Sequence, residues 1–421
     1  MRHQRWIWKF VFSGRQATGL LALALVFTLA IAATQAAPAQ TFQVIHNFIN
    51  GQDGSEPVAG LAMGPDGSLY GTACSGGIGG SGTVYKLTHK GPSWFFSPLY
   101  SFTNGSDGAC PSANVVFGPN GTLYGTTQES GRGLYGTVFN LSPPPTACKA
   151  VRCPWSETTL YSFTGGKDGG EVYSPVTFDQ AGNIYGTTRA GGNGNAGVVY
   201  TLVPSGGTWT ESVIHFFGGS GDGANPYTGV VFDGSGNLYG TALDDVYELT
   251  LQSGVWMETI LHTFQGGNDG EFPYGGLVFD AKGNLYGTTA AAGSGYGGTA
   301  FEFTPLGGGW SYQVIYGFPG TYGTVYGPRA ALIADSAGNL YGTTAGNVGI
   351  TNGPYGTVFK LTPSGGGWTE DVLYTFSGGS DGAFPLGNLV LDANGNLYGT
   401  TYLGGTGGCG FGCGVVFEIT P

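Results

Sequence analysis

Seven near-copies of one heptapeptide punctuate this chain, and their spacing restricts its possible folds more than any other feature. The last copy reads Gly395-Asn396-Leu397-Tyr398-Gly399-Thr400-Thr401. Its tyrosine recurs as Tyr70, Tyr124, Tyr185, Tyr239, Tyr286, Tyr341 and Tyr398, at steps of 54, 61, 54, 47, 55 and 57 residues. A period of this length marks a repeat architecture built from one supersecondary unit. Each unit holds four short runs rich in Val, Leu, Phe, Tyr and Thr, bounded by Gly, Pro, Asn or Asp, as strands are. In the last copy these are 368–376, 387–392, 396–401 and 414–420. The last three are strands a, b and c of one unit, and the tryptophan-led run is a strand d. The 83 glycines and 22 prolines would suggest low complexity if aperiodic, but they fall at repeated turn positions.

The internal distances are nearly constant. A tryptophan (Trp94, Trp155, Trp209, Trp256, Trp310, Trp368) precedes the d-strand phenylalanine by eight residues in each internal repeat. That fixed register reads as a cap on the hydrophobic layer of each blade in preference to a sugar platform. A lone d strand, 41–48, comes first, and the last repeat stops after its c strand. The expected fold is therefore all-β: a seven-bladed β-propeller of four antiparallel strands per blade, closed by the N-terminal strand completing the last blade. Closure removes exposed sheet edges. An open β-solenoid is disfavoured because a four-strand unit is far longer than one solenoid coil.

The pattern Phe264-x-Gly266-Gly267-x-Asp269-Gly270, then Pro273, then Asp280-x-x-Gly283-Asn284-Leu285-Tyr286-Gly287-Thr288-Thr289 resembles the GloVer tandem repeat of exported bacterial proteins. The resemblance covers essentially all of the chain after residue 39. It implies an exported propeller-type repeat protein and brings no activity or catalytic residue with it. The Asp-x-x-Gly-Asn-Leu-Tyr turn is more faintly similar to two-component-sensor and streptogramin-lyase-like propellers.

Residues 1–39 read as a secretory signal peptide and 40–421 as the single propeller domain. Arg2, Arg5, Lys9 and Arg15 precede an apolar stretch, 19–33, and Ala37-Pro38-Ala39 fits a cleavage site. An uncleaved anchor is the rival reading, although the apolar stretch is short for a span. Without those four basic residues the net charge falls from −12 to −16. Nucleic acid and anionic membrane surfaces reward Lys and Arg, so they are poor partners for such a chain. Neutral glycans or cell-surface proteins remain compatible, and an exported monomer (periplasmic, cell-surface or secreted) is expected. Six cysteines in an exported chain favour disulfides over zinc. The propeller topology brings Cys74 and Cys110 to one face, so the expected pairs are Cys74–Cys110, Cys148–Cys153 and Cys409–Cys413.

Catalytic motifs are scarce: no Gly-x-Ser-x-Gly, His-Glu-x-x-His or P-loop occurs. Of the histidines, His46, His215 and His262 read as sheet positions, and Arg132, Arg152, Arg189 and Arg329 as too scattered for an anion clamp. The Asp-x-x-Gly-Asn series (Asp179, Asp233, Asp280, Asp335, Asp392) reads as hairpin-turn chemistry. The Asp-Gly series (Asp53, Asp107, Asp168, Asp222, Asp269, Asp381) also reads as turns. No cofactor is expected; Ca²⁺ on that series is the weak alternative, since no Asp-x-Asp-x-Asp spacing occurs.

Departures from the repeat are the better functional clue, because variable loops on a rigid scaffold carry function. The distance from the b tyrosine to the c aromatic is 15 in blades 1, 2, 3 and 5, 18 in blade 6, 19 in blade 7, and 8 in blade 4. Blade 4 replaces a Gly-rich loop with Leu243-Asp244-Asp245. The b-to-c and d-to-a connections share one face, notched at blade 4, and the expected ligand contacts are Asp244, Asp245, Tyr135, Tyr296, Tyr355, Tyr402 and Phe411. The functional expectation is a binding or scaffold module. The alternative is a polysaccharide hydrolase or lyase using loop carboxylates.

Overall fold

The computed structural model describes residues 40–145, 155–219, 221–320, 327–346 and 355–421. Residues Phe42–Thr420 form one compact unit; the other unit, Met1–Thr41 with Pro421, lies almost wholly outside the described residues. The large unit is a ring of seven four-stranded antiparallel sheets, a β-propeller. Blade 1 runs from the inner strand Ala62–Met63 through Leu69–Ala73 and Thr83–Lys90 to the outer strand Ser93–Ser101. Blade 7 holds Val390–Leu391, Leu397–Thr401 and Val415–Thr420, and its outer strand is the N-terminal Thr41–Asn47. The ring closes as the sequence implies.

Each position of the heptapeptide has a structural reason. The Asp at the a-to-b turn accepts two backbone N–H groups and the Asn side chain: Ala181 and Asn183 donate to Asp179 Oδ1, and Asn183 Nδ2 donates to Oδ2. The tyrosine hydroxyl donates to the same carboxylate, as Tyr185, Tyr239, Tyr286, Tyr341 and Tyr398 all do. Blades 1 and 2, which have glycine there, use Asp66 and Asn120 two residues on. The leucine or isoleucine is fully buried. The glycine lies under the c-strand aromatic directly opposite, as Gly399 does under Phe417, and a Cβ at any of the seven would run into that ring. The first threonine fastens adjacent blades: Thr400 donates to Ala59 O at 2.7 Å, Thr72 to Ala113 O, Thr126 to Ser174 O, and Thr187 to Thr228 O. The second pairs with the strand c residue directly opposite it, as Thr127 with Thr137 at 2.8 Å and Thr289 with Thr299.

Two elements differ from the sequence reading. Strand a has two residues and not six, because the preceding residues press against the neighbouring blade. A Cβ on Gly60 would strike the Asn388 backbone, and one on Gly387 the backbone of Ala59 and Gly60. The tryptophans cap the seam to the preceding blade and not only their own layer: Trp94 meets Tyr398, Trp256 meets Tyr185, Trp310 meets Tyr239 and Trp368 meets Tyr286, with ring centres 5.6–6.3 Å apart. The hydrophobic clusters likewise span pairs of blades; one joins Tyr286 and Phe318 of blade 5 to Leu332, Leu340 and Phe359 of blade 6. Burial between blades is thus what holds the ring together.

Candidate functional site

Backbone pairing between the d-to-a and b-to-c connections defines one face of the ring. Ser55 pairs with Ser75, Ala109 with Glu129, Gly170 with Ala190, Glu271 with Ala291, and Ala383 with Leu403. Three residues after each Asp-Gly aspartate the chain turns sharply inward, and that position takes a positive φ without being glycine. It is Glu56 (60°), Cys110 (52°), Glu171 (57°), Asn225 (49°), Phe272 (60°) and Phe384 (58°). Non-glycine residues rarely hold this region, so a side chain is retained there at a conformational cost.

Two residues further on, the chain reaches the mouth of the central channel, a cavity of about 780 Å³ lined by all seven blades. The residues there are Val58, Ser112, Tyr173, Tyr227, Tyr274, Arg329 and Leu386. Three successive tyrosines followed by an arginine give this rim one chemically distinct half. Tyr173 and Tyr227 have ring centres 5.7 Å apart, and Tyr227 and Tyr274 meet edge to face at 5.0 Å. Arg189, directly after the Thr-Thr of blade 3, lies 5.1 Å from the Tyr227 ring centre and donates from Nε to its hydroxyl at 2.8 Å. Its other end pairs with Glu171 at 2.5 Å. Gln128, the equivalent residue of blade 2, donates to the Tyr173 hydroxyl at 2.6 Å. The Arg329 guanidinium stands 5.6 Å from the Tyr274 ring centre, and its Nε is buried without a hydrogen-bond partner. Burial raises the Tyr274 phenol pKa; Tyr227 and Asp244 add to the rise, while Arg329 and Arg189 oppose it. The structure therefore corrects the reading of the arginines as scattered: Arg189 and Arg329 serve one rim.

The expected contact residues divide. Asp244 belongs to a two-residue hairpin between Ala242 and Asp245, confirming the notch, and its carboxyl pKa is raised by burial, then by Asp245 and Glu271. Its charge also acts on Tyr274. Asp245 is buried beneath the notch. Tyr135 and Tyr355 stand over Gly165 and Gly378 of the outer connections, while Tyr296 and Phe411 are exposed in blades 5 and 7. Tyr402 is half-buried, its N–H bonded to Phe384 O, and burial then Glu56 raises its pKa. These aromatics are spread over blades 2, 5, 6 and 7; the tyrosine–arginine rim carries no signature that the sequence reading uses. Its signal was a tyrosine five residues after the Asp-Gly aspartate in blades 3, 4 and 5. Cys74–Cys110 and Cys409–Cys413 are bonded as expected, and Cys148 and Cys153 lie outside the described residues.

A second recurrent cluster lies between blades. The Asp-Gly aspartates are turn acceptors, as expected, but each also bonds a His or Tyr seven residues earlier: His46–Asp53, Tyr100–Asp107, Tyr161–Asp168, His215–Asp222, His262–Asp269 and Tyr374–Asp381, at 3.0–3.3 Å. The histidines are thus seam residues with acidic partners. A third side chain comes from the outer strand of the next blade. It is a stacked ring in three seams: Phe96 on His46, Tyr312 on His262, and Phe42 on Tyr374. In three consecutive seams it is Glu157, Glu211 or Glu258 instead. Burial first, then the neighbouring aspartate, pushes these up to about 7, 7 and 8. Among the described residues, His215, Asp222 and Glu258 could together hold a metal ion.

Residues 243–421 match the Gloeobacter/Verrucomicrobia repeat. That part of the chain, blades 5 to 7 and the end of blade 4, is built from this repeat. The same heptapeptide spacing runs through the blades before residue 243. No curated protein sequence matches it significantly. Among solved structures, the extracellular domain of a protein assigned as a one-component system from B. thetaiotaomicron is 11% identical over 89% of this chain, with a TM-score of 0.51. The chain spans about 40% of that domain's length. A protein assigned as a 6-phosphogluconolactonase from Bacteroides fragilis is 15% identical over 79% of this chain and 86% of its own, with a TM-score of 0.50. At such identities these likenesses show the propeller fold alone. No helix among the described residues is long and apolar enough to cross a membrane.

Proposed function

We propose that this Gloeobacter/Verrucomicrobia repeat protein is an exported binding module that takes a glycan bearing an acidic group at the mouth of its central channel. The observation that carries this reading is the arc Tyr173–Tyr227–Tyr274 flanked by Arg189 and Arg329. Phenol rings offer flat apolar faces with a polar edge, suited to the faces and hydroxyls of a sugar ring. A guanidinium with a free donor suits a carboxylate or sulfate substituent. The cavity volume falls in the range of ligand sites, and a concave apolar site with a few convergent polar groups is the default place for binding. The chain's net negative charge opposes an acidic ligand only weakly at this range, because surface charges beyond about 8 Å are screened at physiological salt. Export rests on the N-terminal signal pattern and agrees with the bonded cysteines.

The test is a glycan array followed by calorimetric titration of the best acidic oligosaccharide. Tyr274→Ala and Arg329→Met should each weaken binding at least tenfold, and Tyr135→Ala should leave it within twofold. Unchanged binding in both rim variants would overturn the reading. Turnover of the bound glycan, lost in Asp244→Asn, would favour the hydrolase or lyase alternative.

A further inference from the structure

One seam differs from the other six. Among the described residues it alone brings a histidine, an Asp-Gly aspartate and a glutamate together, and it lies beneath the blade 4 notch. His215 Nε2 is 3.2 Å from Asp222 Oδ1 and 3.5 Å from Glu258 Oε1. All three donor atoms fall within 4.8 Å of one another. Two donors about 2.1 Å from one ion in tetrahedral array stand about 3.4 Å apart, so these separations suit shared coordination. Asp222 is already oriented, because Oδ2 accepts the Gly219 N–H and leaves Oδ1 toward the histidine. The side chains keep 13–15% of their surface exposed, enough for an ion to enter.

An independent observation comes from Asp245. It is 8% exposed, and its Oδ1 is buried with no hydrogen-bond partner; the same holds for Glu258 Oε1. The repeat shows where Asp245 is aimed. At its position Thr83, Thr137 and Thr299 each donate a hydroxyl to the carbonyl of the Asp-Gly aspartate, Asp53, Asp107 or Asp269. Blade 4 places a carboxylate there and replaces the partner threonine by Ala242, while Asp245 Oδ2 lies beside Gly223, next to Asp222. Its charge bears on the Glu258 carboxyl. Two carboxylates and one imidazole therefore converge with a third carboxylate, Asp245, buried beside them, and among the described residues no lysine or arginine forms an ion pair with any of them. A bound cation would satisfy carboxylate oxygens that face one another without a lysine or arginine between them.

We propose that His215, Asp222 and Glu258, with the buried Asp245 carboxylate beside them, bind one divalent transition-metal ion of the Mn²⁺ or Zn²⁺ class. The imidazole favours these over Ca²⁺, which takes six to eight oxygen ligands. The ion would fasten the outer strand of blade 3, through His215, to the outer strand of blade 4, through Glu258. In seams 1/2 and 2/3, Tyr100 and Tyr161 hold the histidine's place and no carboxylate stands at the Asp245 position, so those seams would stay metal-free.

The experiment is calorimetric titration of the EDTA-treated, dialysed protein with Mn²⁺, Zn²⁺ and Ca²⁺ separately, with metal analysis of the protein before treatment. The expected result is one Mn²⁺ or Zn²⁺ per chain with a Kd of micromolar or tighter, weaker Ca²⁺ binding, and a higher melting temperature with the ion present. His215→Tyr and Asp245→Thr restore residues that other seams use, so they should fold and should weaken binding at least tenfold. Glu258→Gln should do likewise. Failure of the wild-type protein to bind any of the ions overturns the proposal. So does binding that survives within twofold in His215→Tyr/Asp245→Thr, which would place the ion elsewhere.

Discussion

Replacing Tyr85, Tyr200 and Tyr247 by phenylalanine should stabilise the protein. Each ring lies over the heptapeptide glycine of the adjacent strand, Gly71, Gly186 or Gly240, and is fully buried. Each hydroxyl is buried with no hydrogen-bond partner, and burial alone drives the Tyr85 phenol pKa far upward. Blades 2, 5, 6 and 7 already carry phenylalanine in the same register: Phe139, Phe301, Phe359 and Phe417. An unsatisfied buried hydroxyl costs about 1–3 kcal/mol. The void left by one oxygen returns a few tenths of a kcal/mol against that gain, at about 24 cal/mol per Å³. The net expectation is about 1 kcal/mol per site. The three sites do not contact one another and should add, giving about 3 kcal/mol. In a chain this long each kcal/mol moves Tm by about 1–2 °C, below the 2–4 °C of shorter domains. Calorimetric melting with disulfides intact should therefore show the triple variant about 3–6 °C above wild type, and Phe139→Tyr below it. A triple variant that melts lower than wild type would refute the reasoning, because it would mean that the hydroxyls are bonded.

Three further outcomes follow from the same geometry. Glu157 and Glu211 titrate near 7 in the fold against an ordinary 4.5, so the folded chain holds their protons to higher pH than the unfolded chain. Their contribution to stability is fully present below about pH 4.5 and is lost as pH rises to about 7; Glu157→Gln/Glu211→Gln should flatten this part of a Tm-versus-pH curve. Opening Cys74–Cys110, whose sequence separation is 36, by double Ser substitution should cost about 4 kcal/mol on loop entropy, and opening Cys409–Cys413, separation 4, about 2; denaturant midpoints of the two variants rank them. Gly399→Ala drives a Cβ into the Phe417 ring and should cost about 1–3 kcal/mol or more, whereas Gly283→Ala meets no atom within 4 Å. Gly283 holds φ 85°, so a smaller loss of about 1 kcal/mol is expected there, and guanidinium unfolding distinguishes the two.

The ring was legible because its determinants are local and recur. The turn aspartate, the heptapeptide tyrosine and the glycine beneath the aromatic lie within one blade, so each leaves a constant spacing in the sequence. Closure could be read from the unpaired strand at 41–48, and Cys74–Cys110 from the shared face. The site was less legible for two physical reasons. The rim position varies from Val58 to Tyr227 to Arg329, so no repeat signature marks it, and its meaning arises only when blades 3 to 6 stand side by side around the channel. The seam clusters draw their third member from the next blade's outer strand, Glu258 for His215 and Asp222, which local spacing does not reveal. The seven-residue step from His215 to Asp222, repeated in five other seams, is present in the sequence, but a sheet position followed by a turn does not by itself reveal the pairing. Asp244 and Asp245 stand out in the sequence because blade 4 departs from the pattern, and Asp245 is buried.

The most direct test of the central claim, that the protein binds at the channel mouth, is hydrogen–deuterium exchange with and without a saturating acidic oligosaccharide. The account predicts added protection in peptides covering 171–175, 225–229, 272–276 and 327–331. Protection confined to the outer strands or to the opposite, a-to-b turns would contradict it.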